Sequence, residues 1–328
     1  MGEVVLIKHQ AGLESTRGTQ VAATRKVYGT GMWDETVPPI WTEDEDRQSF
    51  DAHFRSQPGL IQSGMQLDAA ATYEDVPWWC QLALKGGVTG VLSNTSVYTY
   101  TFVPTQATDD LKTATIETGD DTQAWKAGFV MVDELELSAA LGEAIKLRVK
   151  LIADDFATAT FTGALSDRVL EDAVTHLSKV AIGNAGAVPS SYLTGRLIGW
   201  TFKVQNMLKP KFFADGGGAK YTGMGRARRK FTLDLAFEGN AATITERANY
   251  DSKTPRVVRV TAIGSNIAAS SPTTPKSIDI VLAGIWTKYQ VGKRDTNVIF
   301  NATLEGQYDS ALAYALSLAV ANALSALP

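Results

Sequence analysis

The clearest signal in the chain is a two-residue alternation of apolar and polar positions from Phe129 to Leu151, FVMVDELELSAALGEAIKLRVKL. Apolar residues fall at Phe129, Met131, Leu135, Leu137, Ile145, Leu147, Val149 and Leu151, and Asp133 alone breaks the first arm. Period two with a central Gly-containing turn predicts a β-hairpin. Side chains alternate across a strand, so the odd positions share one face only if the strands pair with an even residue sum, for example Leu137 opposite Ile145. Glu134 and Glu136 then meet Lys146, Arg148 and Lys150 on the wet face. Cross-strand charge pairs of this kind contribute roughly 0.2–1 kcal/mol each and disfavour a slipped register.

The same reading predicts strands over residues 97–103 (VYTYTFV), in TATIET before the Gly119-Asp120-Asp121 turn, and over 197–206 and 230–239. VVRVTAIG, SIDIVLAGIW and TNVIFNATLEGQY follow as three more, the first two separated by Pro272 and Pro275. Three helices are expected. One opens near Asp75 with Pro77 early and ends at Gly86-Gly87. Another spans 166–179, where Val169, Leu170, Ala173, Val174 and Leu177 fall at helical spacing. The third is the small-residue stretch 311–328. About nine strands against two or three helices suggest a mainly β fold, an antiparallel sandwich or barrel with a flanking helix and extended arms and loops.

Residues 1–65 mix short apolar pieces with many polar ones, carry Pro38-Pro39 and end in an acidic run, Glu43 to Asp46. They read as an arm that is disordered or bound to a neighbouring subunit. Residues 66–310 form the main domain, with a quasi-repeat of 97–160 in 195–305. Between two of its strands lies the Gly-rich connection 214–229, ending in GMGRARR. That piece lacks the Gly-Lys-Ser/Thr ending of a phosphate loop and the third Gly of a dinucleotide turn. A loop with a solvated basic end is the plain reading, and contact with an acidic partner the functional one.

Composition narrows the function. The 45% hydrophobic and 20% charged content is that of an ordinary globular protein, and a net charge of −4 gives no global attraction to nucleic acid or acidic membranes. Cys80 is the single cysteine, so no intramolecular disulfide and no cysteine-based zinc site can form. The N-terminus shows neither a secretory pattern nor a myristoylation signal, since Leu6 stands where Ser or Thr is needed. Residues 311–327 fall short of the roughly 20 apolar residues of a membrane span. His9, His53 and His176 lie far apart with no nucleophile motif beside them. Asp154 and Asp155 have no third ligand at a calcium-loop spacing, and read as a solvated strand end. Trp78 and Trp79 read as core or interface anchors. As sugar platforms together with Trp200, they would instead make the chain a carbohydrate-binding or adhesin-like module. No catalytic constellation, cofactor site or metal site emerges.

Several stretches in order carry a resemblance: GLESTRGTQVAATRKVYGTG, TYEDVPWWCQLALKG, YTYTFVP, DDLKTATIETGDD, VDELELSAALGEAIKLRVKLIADD, GWTFKVQNMLKPKF and FNATLEGQYD. Together they resemble the major tail tube proteins of long-tailed bacteriophages. The resemblance implies a structural virion protein made in the host cytoplasm, with subunits closing into rings of six that stack into a tube through which DNA passes. Two fused tube domains would make a ring of three. Implied partners are further copies of the chain, the tape measure protein, and tail terminator and distal tail proteins. On this reading Glu134, Glu136, Lys146, Arg148 and Lys150 are candidate lumen residues. Arg17, Arg25, Lys26, Arg226, Arg228 and Arg229 are candidate contacts between rings.

Overall fold

The computed structural model describes residues 4–41, 48, 53, 55–104, 111–214, 218–239, 241–294 and 297–327. The Glu43 to Asp46 run and the expected turn at Thr105 to Asp110 lie outside the described residues. The first half of the chain forms β1 (Lys8–Leu13), β2 (Arg25–Val27), β3 (Trp33–Thr36), β4 (Pro39–Trp41), β5 (Ser56–Pro58), β6 (Gln62–Ala70), α1 (Val76–Ala83), β7 (Val91–Asn94), β8 (Val97–Phe102), β9 (Ala114–Gly119), β10 (Ala124–Ala140), β11 (Lys146–Ala153) and β12 (Asp155–Ala159). The second forms β13 (Ser178–Asn184), β14 (Tyr192–Leu193), β15 (Leu197–Gln205), β16 (Leu208–Lys211), β17 (Gly223–Arg226), β18 (Lys230–Glu238), α2 (Ala241–Asp251), β19 (Arg256–Asn266), β20 (Pro275–Arg294), β21 (Asn297–Gly306) and β22 (Leu316–Asn322). All strand pairings are antiparallel.

The two halves repeat one pairing scheme. β1 joins β2 and β9, as β13 joins β14 and β19. β9 and β12 flank the first part of β10, as β19 and β22 flank the first part of β20. The second part of β10 takes β11, then β6, then β3; the second part of β20 takes β21, β18 and β15. The β4–β5 hairpin has its counterpart in β16–β17. Even the irregularities match: the register slips between Val132 and Glu134 in β10, and between Trp286 and Lys288 in β20. A bulge at the same place in each long strand marks a built feature of the scheme.

This repeat is larger than the expected 97–160 and 195–305, because the described residues between 8 and 70 are not an arm. They supply β1, β2, β3 and β6, and β1 is buried at four consecutive positions. Among the described residues β7 and β8 have no counterpart. β8 crosses over to pair with β22, which puts a strand of the first repeat into the sheet of the second.

The β10–β11 hairpin keeps the expected facing, with Leu135, Leu137, Leu147, Val149 and Leu151 all buried. Its register differs, since Leu137 lies opposite Leu147. Ile145 is drawn out of the ladder: its N–H donates to Ala173 O and its carbonyl accepts from Ala71 N, both at 2.7 Å. The partner in that exchange is the segment expected as a helix over 166–179. It runs instead as an extended strap, bridging Thr72 with Asp172 and Ala144 with Val174, before a single 3₁₀ turn at Thr175–Leu177. Its backbone groups find partners on two sides, and Val169, nominally on the apolar stripe, is 92% exposed. Helical spacing of apolar residues is weak evidence when lateral hydrogen bonds compete for the backbone.

The C-terminal stretch is also not a helix. β22 buries Leu316, Leu318 and Val320 while alternate residues stay half-buried. The expected helix near Asp75 is present as α1. Pro77 sits in its first turn, where a missing N–H costs nothing, and all eight residues are buried. α2 was not anticipated from the sequence.

Candidate assembly surfaces

β10 pairs with β15 from Glu134–Gln205 to Ala140–Gly199. That junction welds the two repeats into one sheet of eight strands, in the order β3, β6, β11, β10, β15, β18, β21, β20. Its core face carries Leu135, Leu137, Phe202, Val204, Leu233, Leu235, Phe237 and Leu304, every one buried. Its other face is mainly polar, with apolar exceptions such as the half-buried Ile152 and Ile299.

On that polar face the registers line up charges in rows. Asp68, Arg148, Glu136, Lys203, Thr232 and Glu305 are successive neighbours across six strands. Lys203 Nζ lies 3.0 Å from both Glu134 and Glu136, Arg148 Nε 2.7 Å from Asp68, and Lys230 Nζ 3.3 Å from Glu305. Glu134 also accepts from Gln205 at 3.0 Å. Partial burial pushes the Glu134 carboxyl up, but the bonds from Gln205 and Lys203 outweigh it and hold the group below the usual range. All five candidate lumen residues, Glu134, Glu136, Lys146, Arg148 and Lys150, belong to this face. Sequence reading missed Asp68, Lys203, Lys230, Asp234, Lys288 and Glu305, although the polar alternation in 197–206 and 230–239 was a usable signal. Acids and bases nearly balance across it.

The candidate inter-ring residues separate. Arg25 is buried inside the subunit, ion-paired with Asp75 and lying 4.8 Å from the Trp78 ring centre, so its charge is not offered at a surface. Lys26 bonds Asp167 on the strap at 2.8 Å, and Arg229 donates to Leu84 O at 2.9 Å. Arg17 is exposed with its guanidinium 3.3 Å from Leu111 O. Arg226 and Arg228 are exposed at the β16–β17 hairpin, the connection expected to be a loop.

Asp154 is not a solvated strand end. It is half-buried, with Oδ1 unpartnered, while Asp155 pairs with Lys220. Burial, with Asp155 adding to it, raises the Asp154 carboxyl to about 6. A carboxyl whose folded value lies above its unfolded one costs stability once pH exceeds the unfolded value. Asp154→Asn is therefore expected to stabilise the fold by about 1 kcal/mol at pH 7, after allowance for solvent screening, with the gain vanishing below about pH 4. Thermal melts of the two proteins at both pH values check this.

Among the described residues no His, Cys, Asp and Glu cluster could hold a metal ion, and no helix is long and apolar enough to cross a membrane. Trp78, Trp79 and Trp200 are at most 3% exposed, which rules them out as sugar platforms.

A duplicated antiparallel scaffold with open strand edges and one long charge-balanced face defines a structural, self-assembling β-protein. A family model described as phage tail tube protein matches residues 8–307, and the chain belongs to that family. Its members are structural components of the virion tail that assemble into a tube, and they are not enzymes. A comparison with curated proteins gives no match.

Proposed function

We propose that this chain builds the DNA conduit of a long, flexible-tailed phage. Copies close into rings, rings stack, and the polar face of the eight-stranded sheet lines the lumen. The observation that carries this reading is the near-balance of charge on that face, with Asp68, Glu134, Glu136, Asp234 and Glu305 set among Lys146, Arg148, Lys150, Lys203, Lys230 and Lys288. A strongly basic wall would hold phosphates and release counterions, trapping DNA where it has to slide. A mixed, water-filled wall lets the duplex pass.

The β4–β5 and β16–β17 hairpins occupy equivalent places in the two repeats and serve as contacts between stacked rings. Ile40, Trp41 and Phe213 at these hairpins are each more than half exposed, and Arg226 and Arg228 lie beside them. The tape measure protein fills the lumen before DNA does, and terminator and distal tail proteins close the two ends. Assembly takes place in the host cytoplasm. With two tube units in each chain, a ring of six units needs three chains. Helical reconstruction of tubes from the purified protein tests this: Glu134, Arg148 and Lys203 are expected to face the channel. Finding them on the outer wall would overturn the lumen assignment.

A further inference from the structure

The junction between the repeats shows how one tube unit meets the next, and the same chain carries its two halves unused at opposite edges of the sheet. Past its bulge, β20 pairs with β21 alone, and β3 pairs with β6 alone, among the described residues. These two edges are the counterparts of β10 and β15. Alignment on the bulges places Lys288, Gln290 and Val291 of β20 where β10 has Glu134, Glu136 and Leu137. Alignment on the β6 and β18 neighbours places Trp33, Asp34 and Thr36 of β3 where β15 has Phe202, Lys203 and Gln205.

We propose that β20 of one copy pairs with β3 of the next in the register of the β10–β15 junction, setting Asp34 opposite Gln290 and beside Lys288. The inference rests on the ring-forming reading above and names the surface that closes the ring.

Three observations converge on it. First, inside the chain Lys203 sits between Glu134 and Glu136; at the open edges an acid, Asp34, takes the place of Lys203, and a base, Lys288, the place of Glu134. The charge pair is kept with its signs exchanged. Second, Leu137 is fully buried opposite Phe202, whereas its counterpart Val291 is 64% exposed, and Trp33, 7% exposed within its own subunit, holds the place of Phe202 on the other edge. Third, like edges give no such pair: with the polar faces kept on one side, β20 against β20 sets Lys288 opposite Lys288 or Gln290, and β3 against β3 sets Asp34 opposite Asp34 or Thr36, so no acid meets a base. Only unlike edges match, which makes the contact head-to-tail, and a head-to-tail contact that closes gives a ring.

The edge is already dressed for this. Lys253 donates to Trp286 O at 3.2 Å just before the β20 bulge, as Asn206 donates to Val132 O at 2.8 Å before the β10 bulge. Arg247 reaches Tyr289 O at 3.4 Å, a long bond that an incoming strand would displace.

Two experiments on the full-length protein test the pairing, each read by negative-stain microscopy and by thermal melting of the unassembled subunit. Asp34→Lys and Lys288→Asp are both exposed changes and are expected to leave the melt unchanged while each lowers tube yield roughly tenfold or more, equivalent to about 1.4 kcal/mol per contact. The double variant Asp34→Lys/Lys288→Asp restores the pair in reverse and is expected to recover tubes. Single variants that assemble like the parent would overturn the proposal. In the second experiment, Asp34→Cys and Gln290→Cys are combined in one chain; directly opposed residues lie within disulfide reach, and Cys80 is buried and does not compete. Oxidised tubes are expected to give covalent multimers on a denaturing gel. Tubes without cross-links would sink this pairing and leave the tube reading standing, whereas a parent protein that forms no rings or tubes would sink both.

Discussion

Replacing Asp75 by alanine is expected to cost about 3–5 kcal/mol of folding stability, the usual penalty for stranding a buried charge. Asp75 accepts from two guanidinium groups, Arg25 and, at 2.7 Å, Arg168. The Arg25 side chain is 1% exposed, and burial pushes it down to about 9, with Asp75 opposing that fall and Arg168 adding to it. Without the carboxylate two cations face each other across a dry gap. The three residues also come from β2, the start of α1 and the strap, so the loss would loosen three segments together. Urea unfolding of the variant checks the size. In an Arg25→Met background the same substitution is expected to cost markedly less, because most of the penalty belongs to the stranded guanidinium and not to the lost contact. A loss below about 1 kcal/mol in the parent background would show that water reaches the site.

Trp286→Ala is expected to cost a further 3–5 kcal/mol, the range for truncating a buried large aromatic. The indole is fully buried at the residue before the β20 bulge and donates to Glu246 Oε2 at 2.9 Å. Glu246 also holds Arg256 at 2.6 Å, so the cavity opens beside a buried ion pair that loses one of its donors. Calorimetry of the unassembled subunit measures the loss. Because the bulge sets the course of the outer edge of β20, tube formation is expected to fail before the subunit unfolds. The counterpart in the first repeat is Val132, also fully buried, so the two cores solve the same packing problem with different volumes.

That divergence explains what could and could not be read from the chain alone. The β10–β11 hairpin was legible because its alternation is strict, and the one exception, Asp133, marks the bulge; its backbone and carboxylate take the N–H groups of Asn206 and Leu208 at 2.8 Å. The register was not legible, since Ile145 is claimed by the strap, a contact no local pattern encodes. β22 was hidden by its alanines: Leu316, Leu318 and Val320 do alternate, but the small residues between them read equally well as a helix. The repeat was blurred because equivalent positions keep their pairing and lose their identity, as Val132 and Trp286, Glu134 and Lys288, Phe202 and Trp33 show. Half the polar face was foreseen from its hairpin, and the partners from β6, β15, β18, β20 and β21 were missed because they reach it only through long-range pairing.

The crossover of β8 into the sheet of the second repeat has a consequence for how the subunit matures. Tyr100 Oη donates to Leu324 O at 2.6 Å across a sequence separation of 224 residues, and Phe102 and Tyr100 lie opposite Leu318 and Val320. On the ribosome, β8 emerges long before β22 exists, and closing so distant a pair is slow. Until that last strand docks, β8 has no ladder on the side that β22 will occupy, which delays the finished shape. Synthesis itself thus sets an order: the ladder that carries β8 into the sheet of the second repeat closes only after β9 to β21 have been made.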